Sequence, residues 1–237
     1  MFDKKLNFDL IVFAPYYHAG GAERVLADLV GSLSAKRVLS VFTDRSRDDR
    51  FLKKISQNAK IIKLYGLENK IKFIKKLLIA LGSRWINRNQ HLILLGTNSR
   101  FYYDLLPHID KHIRKIDIVH WLDGEAGQKA IIASPYVDRR VIVTPALRGI
   151  LAGVYRRNHW PREYASRIET IENQVLKTKT FKKDWQGPLK VLYIGRNSSE
   201  KRIELLSRVQ AEFAQDSNVE WTIIGRGLKD IFVTSCS

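Results

Sequence analysis

The sequence is poor in several of the residues that would assign it to a simple class. It has a single cysteine, Cys236, in 237 residues. That excludes an internal disulfide framework and fits a reducing compartment. No uninterrupted apolar run approaches the roughly 18 residues of a membrane-spanning helix. The opening MFDKKLNFDLIVFAPYY has a short, broken apolar stretch with no small-residue cleavage site after it, so it reads as a first buried strand and not as a signal peptide. Acidic residues are scarce: 24 Asp and Glu stand against 41 Lys and Arg, a formal charge of +17. An excess of that size implies an anionic partner, whether nucleic acid, an acidic membrane surface or a phosphorylated substrate. The three-glycine dinucleotide fingerprint is missing too, and only Asp44 is placed to cap a second strand, which argues against a nicotinamide dehydrogenase.

Apolar residues make up 45% of the chain, enough for a sizeable core. They fall in short continuous runs: 8–14, 37–43, 60–66, 91–97, 117–122 and 139–145, with a seventh candidate at 167–172. Continuous rather than alternating runs suit strands buried on both faces. Helical spacing lies between them, for example over 22–33, 70–85 and 146–157. The repeated strand–helix order predicts an α/β fold with a parallel, Rossmann-like sheet. The polar, basic stretch LKTKTFKKDWQGP (176–188) reads as a linker. After it the pattern restarts with a strand over 190–195, a helix over 200–215 and a strand over 219–225. The expected organisation is an N-terminal domain over 1–178, a linker over 179–188 and an incomplete second domain over 189–237.

Two stretches could bind an anion. In YYHAGGAERVL (16–26) a strand ends, Gly20 and Gly21 follow, and a helix begins. Paired glycines let a ligand approach the backbone, and the free N–H groups of a helix start favour negative charge. The same residues also suit a ligand-free turn. In YIGRNSSEK (193–201) Arg196 and Lys201 flank the predicted mouth of a helix, where the dipole disfavours cations. Either a phosphate lies between them, held by an Arg fork and a Lys charge, or they are solvated surface cations. His120, Asp123 and Glu125 in DIVHWLDGE (117–125) stand at the C-terminal end of a predicted strand, where ligands gather in such sheets. His120 equally fits a core-edge histidine.

GGAERVLADLV, VIVTPALRGIL, IETIENQV and VLYIGRNSSEKRIELL occur in this order. Together they resemble the retaining, GT-B-fold glycosyltransferases of family 4, over about residues 8–230. The resemblance implies transfer of a sugar from a nucleotide-sugar donor to a glycan or lipid-linked acceptor, in surface polysaccharide or lipopolysaccharide assembly. It implies no cofactor and no required metal. Gly20, Gly21, Arg196 and Lys201 would hold the donor diphosphate. Thr144 and Asn173 would face the cleft, although Gln174 stands where the family has a glycine. His120 would be the catalytic histidine, and Asp123 and Glu125 would meet the acceptor. The family's pair of glutamates seven residues apart has no counterpart in 202–237. A C-terminally truncated chain is therefore expected, and an inactive fragment or non-catalytic binding module is the competing reading.

Residues 69–88 read as a basic amphipathic helix with Ile71, Ile74, Leu78, Leu81 and Trp85 on one face. It would either lie on an anionic membrane or pack on the sheet. The expected location is cytoplasmic, peripheral on the inner face of the cytoplasmic membrane. No nucleic-acid-binding module is recognisable.

Overall fold

The computed structural model describes residues 8–33, 36–65, 72–173, 186–195, 197, 201–225, 227–228 and 231. The chain divides into two compact units, Met1–Val175 and Leu176–Ser237.

The first unit is built on seven parallel strands in the order β3-β2-β1-β4-β5-β6-β7. They are β1 (Leu10–Ala14), β2 (Val38–Phe42), β3 (Ala59–Lys63), β4 (Ile93–Thr97), β5 (Arg114–Val119), β6 (Arg139–Ile142) and β7 (Ile168–Thr170). The connecting helices are α1 (Gly21–Ser32), α2 (Leu52–Ser56), α3 (Lys72–Ile86), α4 (Arg100–Leu105), α5 (Gly124–Ile132), α6 (Pro145–Arg157) and α7 (Arg162–Ser166). All seven predicted strands are present. β5 starts three residues earlier than its apolar run, because Arg114 and Lys115 pair with Ile93 and Leu94 of β4.

β1 and β2 are buried along their whole length, as their continuous apolar runs require. Alternate residues feed two cores. Leu10, Val12, Val38 and Phe42 pack with Leu26, Ala27 and Val30 of α1 and Ile55 of α2. Ile11, Phe13, Leu39 and Val41 share a second core with side chains from α3, α4, α5 and α6. That second core surrounds a buried polar network on β5 and β6. Arg140 donates to Asp117 (Nε–Oδ2 3.0 Å), to Ser134 and Tyr155 (both 2.7 Å) and to the Ala130 carbonyl (2.6 Å). Tyr103 donates to the other oxygen of Asp117 at 3.0 Å. A buried charge is tolerable only with partners of this kind.

The amphipathic face expected on 69–88 is corrected. Ile71 lies outside the described residues. Leu78 and Trp85 pack against the core, together with buried Ile79 and Ile86, and Leu81 points to solvent. The side that carries Ile79 and Ile86 joins the core, and the row of Phe73, Leu77 and Leu81 faces outward.

The second unit holds β8 (Leu189–Ile194) paired in parallel with β9 (Val219–Ile224), and α8 (Ile203–Glu212) between them. α8 starts later than expected, after Arg202 in the left-handed region (φ 49°). One face of this two-stranded sheet leaves Leu192, Ile194 and Ile224 exposed. Residues 174–185, which carry most of the expected linker, lie outside the described residues.

Candidate functional site

Parallel pairing brings the C-terminal ends of all seven strands to one edge, with the order reversing between β1 and β4. At such a switch point neighbouring connections leave in opposite directions and open a crevice. Here a small cavity lies at that point, lined by Ala14, Pro15, Tyr16, Glu23, Thr97 and Trp121 among others.

The loop after β1 is pinned from β2's side. Tyr17 N–H donates to Ser46 Oγ (2.9 Å) and Ala19 N–H to Asp48 Oδ1 (3.1 Å). The loop delivers Gly20 as the N-cap of α1 in extended conformation, with Gly21 as the first helical residue. The two glycines differ physically. A Cβ on Gly21 would meet nothing, whereas a Cβ on Gly20 would run into the carboxylate of Glu23. Glu23 folds back over the helix start and is buried, with His18 Nε2 at 3.7 Å from its Oε1. The positive end of α1 therefore already carries a carboxylate of the chain. His18 stacks on Tyr16 at 4.7 Å, and its Nδ1 is buried without a hydrogen-bond partner.

Asn98, at the end of β4, holds the next part of the site. It is buried in the left-handed region (φ 48°), a conformation that asparagine tolerates better than most residues. Its side chain accepts from His120 N–H (2.8 Å) and donates to the Trp121 carbonyl (2.9 Å). Asn98 thus fixes the turn that follows β5. Ser99 caps α4 through Tyr102 N–H. Arg100 then spans the edge, reaching Asp44 after β2 (2.6 Å) and Glu125 on α5 (2.9 Å).

Among the expected residues, His120 follows β5 directly. Burial holds its imidazole down at about 4, so it is neutral at neutral pH. Its ring lies tilted against Trp121 at 6.0 Å between centroids, and its side chain makes no hydrogen bond among the described residues. Asp123 is the exposed N-cap of α5, and Glu125 lies in its first turn. The hydrogen bond from Arg100 lowers the Glu125 carboxyl. Thr144 caps α6, accepting from Leu147 N–H at 3.4 Å. Asn173 is exposed just beyond β7. In the second unit Gly195 follows β8, its N–H donating to the Ile224 carbonyl, and exposed Lys201 comes just before α8. Arg196 lies outside the described residues.

The sheet edge of the first unit thus joins Gly20, Gly21, His120, Asp123 and Glu125. Sequence reasoning missed Glu23, His18, Asn98 and Arg100. Arg100 follows a predicted strand closely and could have been noted on that ground. Asn98 carried no signal beyond its residue type. Among the described residues no group of three or more His, Cys, Asp or Glu side chains is placed to hold a metal ion.

No protein-family model matches the sequence, and no curated protein matches it. The fold is similar to that of solved glycosyltransferases. The apo form of the lipopolysaccharide outer core galactosyltransferase WaaB aligns with a TM-score of 0.60 at 15% identity, covering 92% of this chain and 69% of that one. MurG of Acinetobacter baumannii aligns with a TM-score of 0.56 at 14% identity, covering 91% and 65%. The fold is therefore α/β, Rossmann-like and of the type shared by GT-B glycosyltransferases.

Proposed function

We infer that the protein serves glycosyl transfer, moving a sugar from a nucleotide-sugar donor to a glycan or lipid-linked acceptor. The observation that supports this best is local. The Gly-Arg…Lys segment follows the C-terminal end of β8 and runs up to α8, the position where a parallel α/β unit offers backbone N–H groups to phosphate. The retaining course, membership of family 4 and a place in lipopolysaccharide or polysaccharide assembly belong to the same proposal. So does a cytoplasmic location.

In this reading the acceptor oxygen bonds the anomeric carbon as its hydroxyl proton passes to the departing diphosphate oxygen. The bond from that carbon to phosphate breaks, and the nucleoside diphosphate departs with the electron pair. Arg196 and Lys201 stabilise the charge that develops on the leaving group, the work that preorganised cations do best. Within the first unit Gly21 has open space beside it, whereas Gly20 is shielded by Glu23. Neutral His120 can accept a hydrogen bond from a sugar hydroxyl at neutral pH, and Glu125, oriented by Arg100, together with Asp123 can receive the acceptor. Thr144 and Asn173 border the same edge.

Calorimetric titration with uridine and guanosine diphosphates tests the reading. One of them should bind, and Arg196→Ala or Lys201→Ala should weaken it by roughly tenfold to a hundredfold each, as for charge-assisted contacts. Absence of binding by both nucleotides, or equal affinity in the variants, overturns the proposal.

A second reading, a binding module without turnover, is favoured by the exposed apolar face of β8 and β9. It predicts nucleotide binding with no hydrolysis or transfer of the sugar by this chain.

A further inference from the structure

The small cavity at the switch point between β1 and β4 is lined by polar groups that no described residue satisfies. Glu23 and Thr97 border it, with Tyr16 and Trp121 beside them. The Glu23 side chain is only 10% exposed. Neither its carboxylate nor the Thr97 hydroxyl makes a hydrogen bond among the described residues. His18 Nε2 stands 3.7 Å from Glu23 Oε1, beyond hydrogen-bond reach. Buried polar groups ordinarily have partners, and a buried carboxylate without a donor is costly. The dipole of α1 offsets part of that cost without giving the carboxylate a hydrogen bond. The cavity measures about 10 Å³, room for a single hydroxyl-sized group.

Trp121 in its wall is 36% exposed, whereas Trp85 and Trp160 pack against the core. Its backbone is held on both sides: Asn98 accepts from His120 N–H (2.8 Å) and donates to the Trp121 carbonyl (2.9 Å). A fixed, partly exposed indole beside an unsatisfied carboxylate suits one class of ligand. The C–H face of a pyranose packs on the negative face of an aromatic ring, and its hydroxyls supply donors. A phosphate suits the place poorly, because the lining holds a carboxylate and neither Lys nor Arg. We propose that this crevice is an acceptor subsite for a neutral pyranose. The ring stacks on Trp121 and sends one hydroxyl into the cavity, where it donates to Glu23 and accepts from Thr97. The inference rests on the glycosyl-transfer reading and narrows it: the acceptor ends in a sugar and not in a bare lipid phosphate.

Ligand-observed NMR titration of the full chain decides it, with the methyl glycosides of glucose, galactose, mannose and N-acetylglucosamine. At least one of them should bind, and inorganic phosphate should not displace it. E23Q should weaken that glycoside by about tenfold, because a neutral acceptor replaces a charged one. W121A should weaken it by roughly tenfold, and W121F should retain most of the affinity. E23Q keeps the side-chain shape and W121A changes a partly exposed residue, so both should melt like wild type; if W121A does not fold, E23Q decides. Failure of all four glycosides to bind, equal affinity in E23Q and W121A, or displacement by phosphate would overturn the proposal. The affinity for uridine or guanosine diphosphate should be the same in wild type and both variants. Nucleotide binding without glycoside binding therefore defeats this inference alone, and glycoside binding without nucleotide binding defeats the glycosyl-transfer reading.

Discussion

His120 is the residue whose environment makes the sharpest claim. Burial holds its imidazole at about 4 against an ordinary 6.5, so the folded protein binds that proton less readily than the unfolded chain. The associated stability is fully present above pH 6.5 and is lost as pH falls toward 4. The shift corresponds to about 3 kcal/mol at most, with about 2 kcal/mol gone by pH 5. Denaturant titrations at pH 7 and pH 5 should show this loss in wild type and a smaller one in His120→Asn. Gly20 offers a second test. Its φ of −167° suits any residue, so the need for glycine comes from Glu23 and not from the backbone. Gly20→Ala should lower stability by about 1 kcal/mol at most, because the atoms in the way are the end of a flexible side chain that can turn aside. The same change made in a Glu23→Ala background should cost far less, and thermal melts of the four proteins close the cycle. Sequence reading had reached Gly20 and Gly21 as a pair. Only the folded-back carboxylate separates one that is closed from one that is open.

At the scale of elements, the strands were the legible part. Their apolar runs are continuous because both sheet faces are covered, and that pattern survives in a single sequence. The helices between them were less so. α4 spans only Arg100–Leu105, too short to show a period, and α5 carries Gly124 and Gly127, which weaken any helical signal. α3 was found, but its orientation was not. It has apolar residues on more than one side, and the choice of inner face rests on contacts with distant segments such as α4. Thr144 shows how an element can claim a residue expected to serve a ligand. Its hydroxyl accepts from Leu147 N–H as the cap of α6. Thr144→Ala should therefore lower the melting temperature, through a loss of about 1 kcal/mol, while Thr144→Ser retains most of it. A purely ligand-facing Thr144 would leave the melt unchanged.

Across the whole molecule, the sequence by itself determined the order of the strands, the restart of the pattern after residue 188, and the cationic excess. These depend on local composition and period, which neighbouring residues carry. The placement of Gly20, His120 and Glu125 at one edge also followed once a parallel sheet was accepted, because every strand then ends on the same side. The tertiary structure alone decided the rest. Arg100 meets Asp44 across 56 positions and Glu125 across 25. Asn98 fixes a turn 22 residues away. Asp117 and Arg140 are charges inside strands that composition marks as apolar, stable there because Tyr103, Ser134 and Tyr155 converge on them. Which side of α3 faces water was settled in the same way. Such partners are chosen by packing between segments far apart in the chain, where burial makes each unpaired group costly and local pattern holds no record of who will arrive.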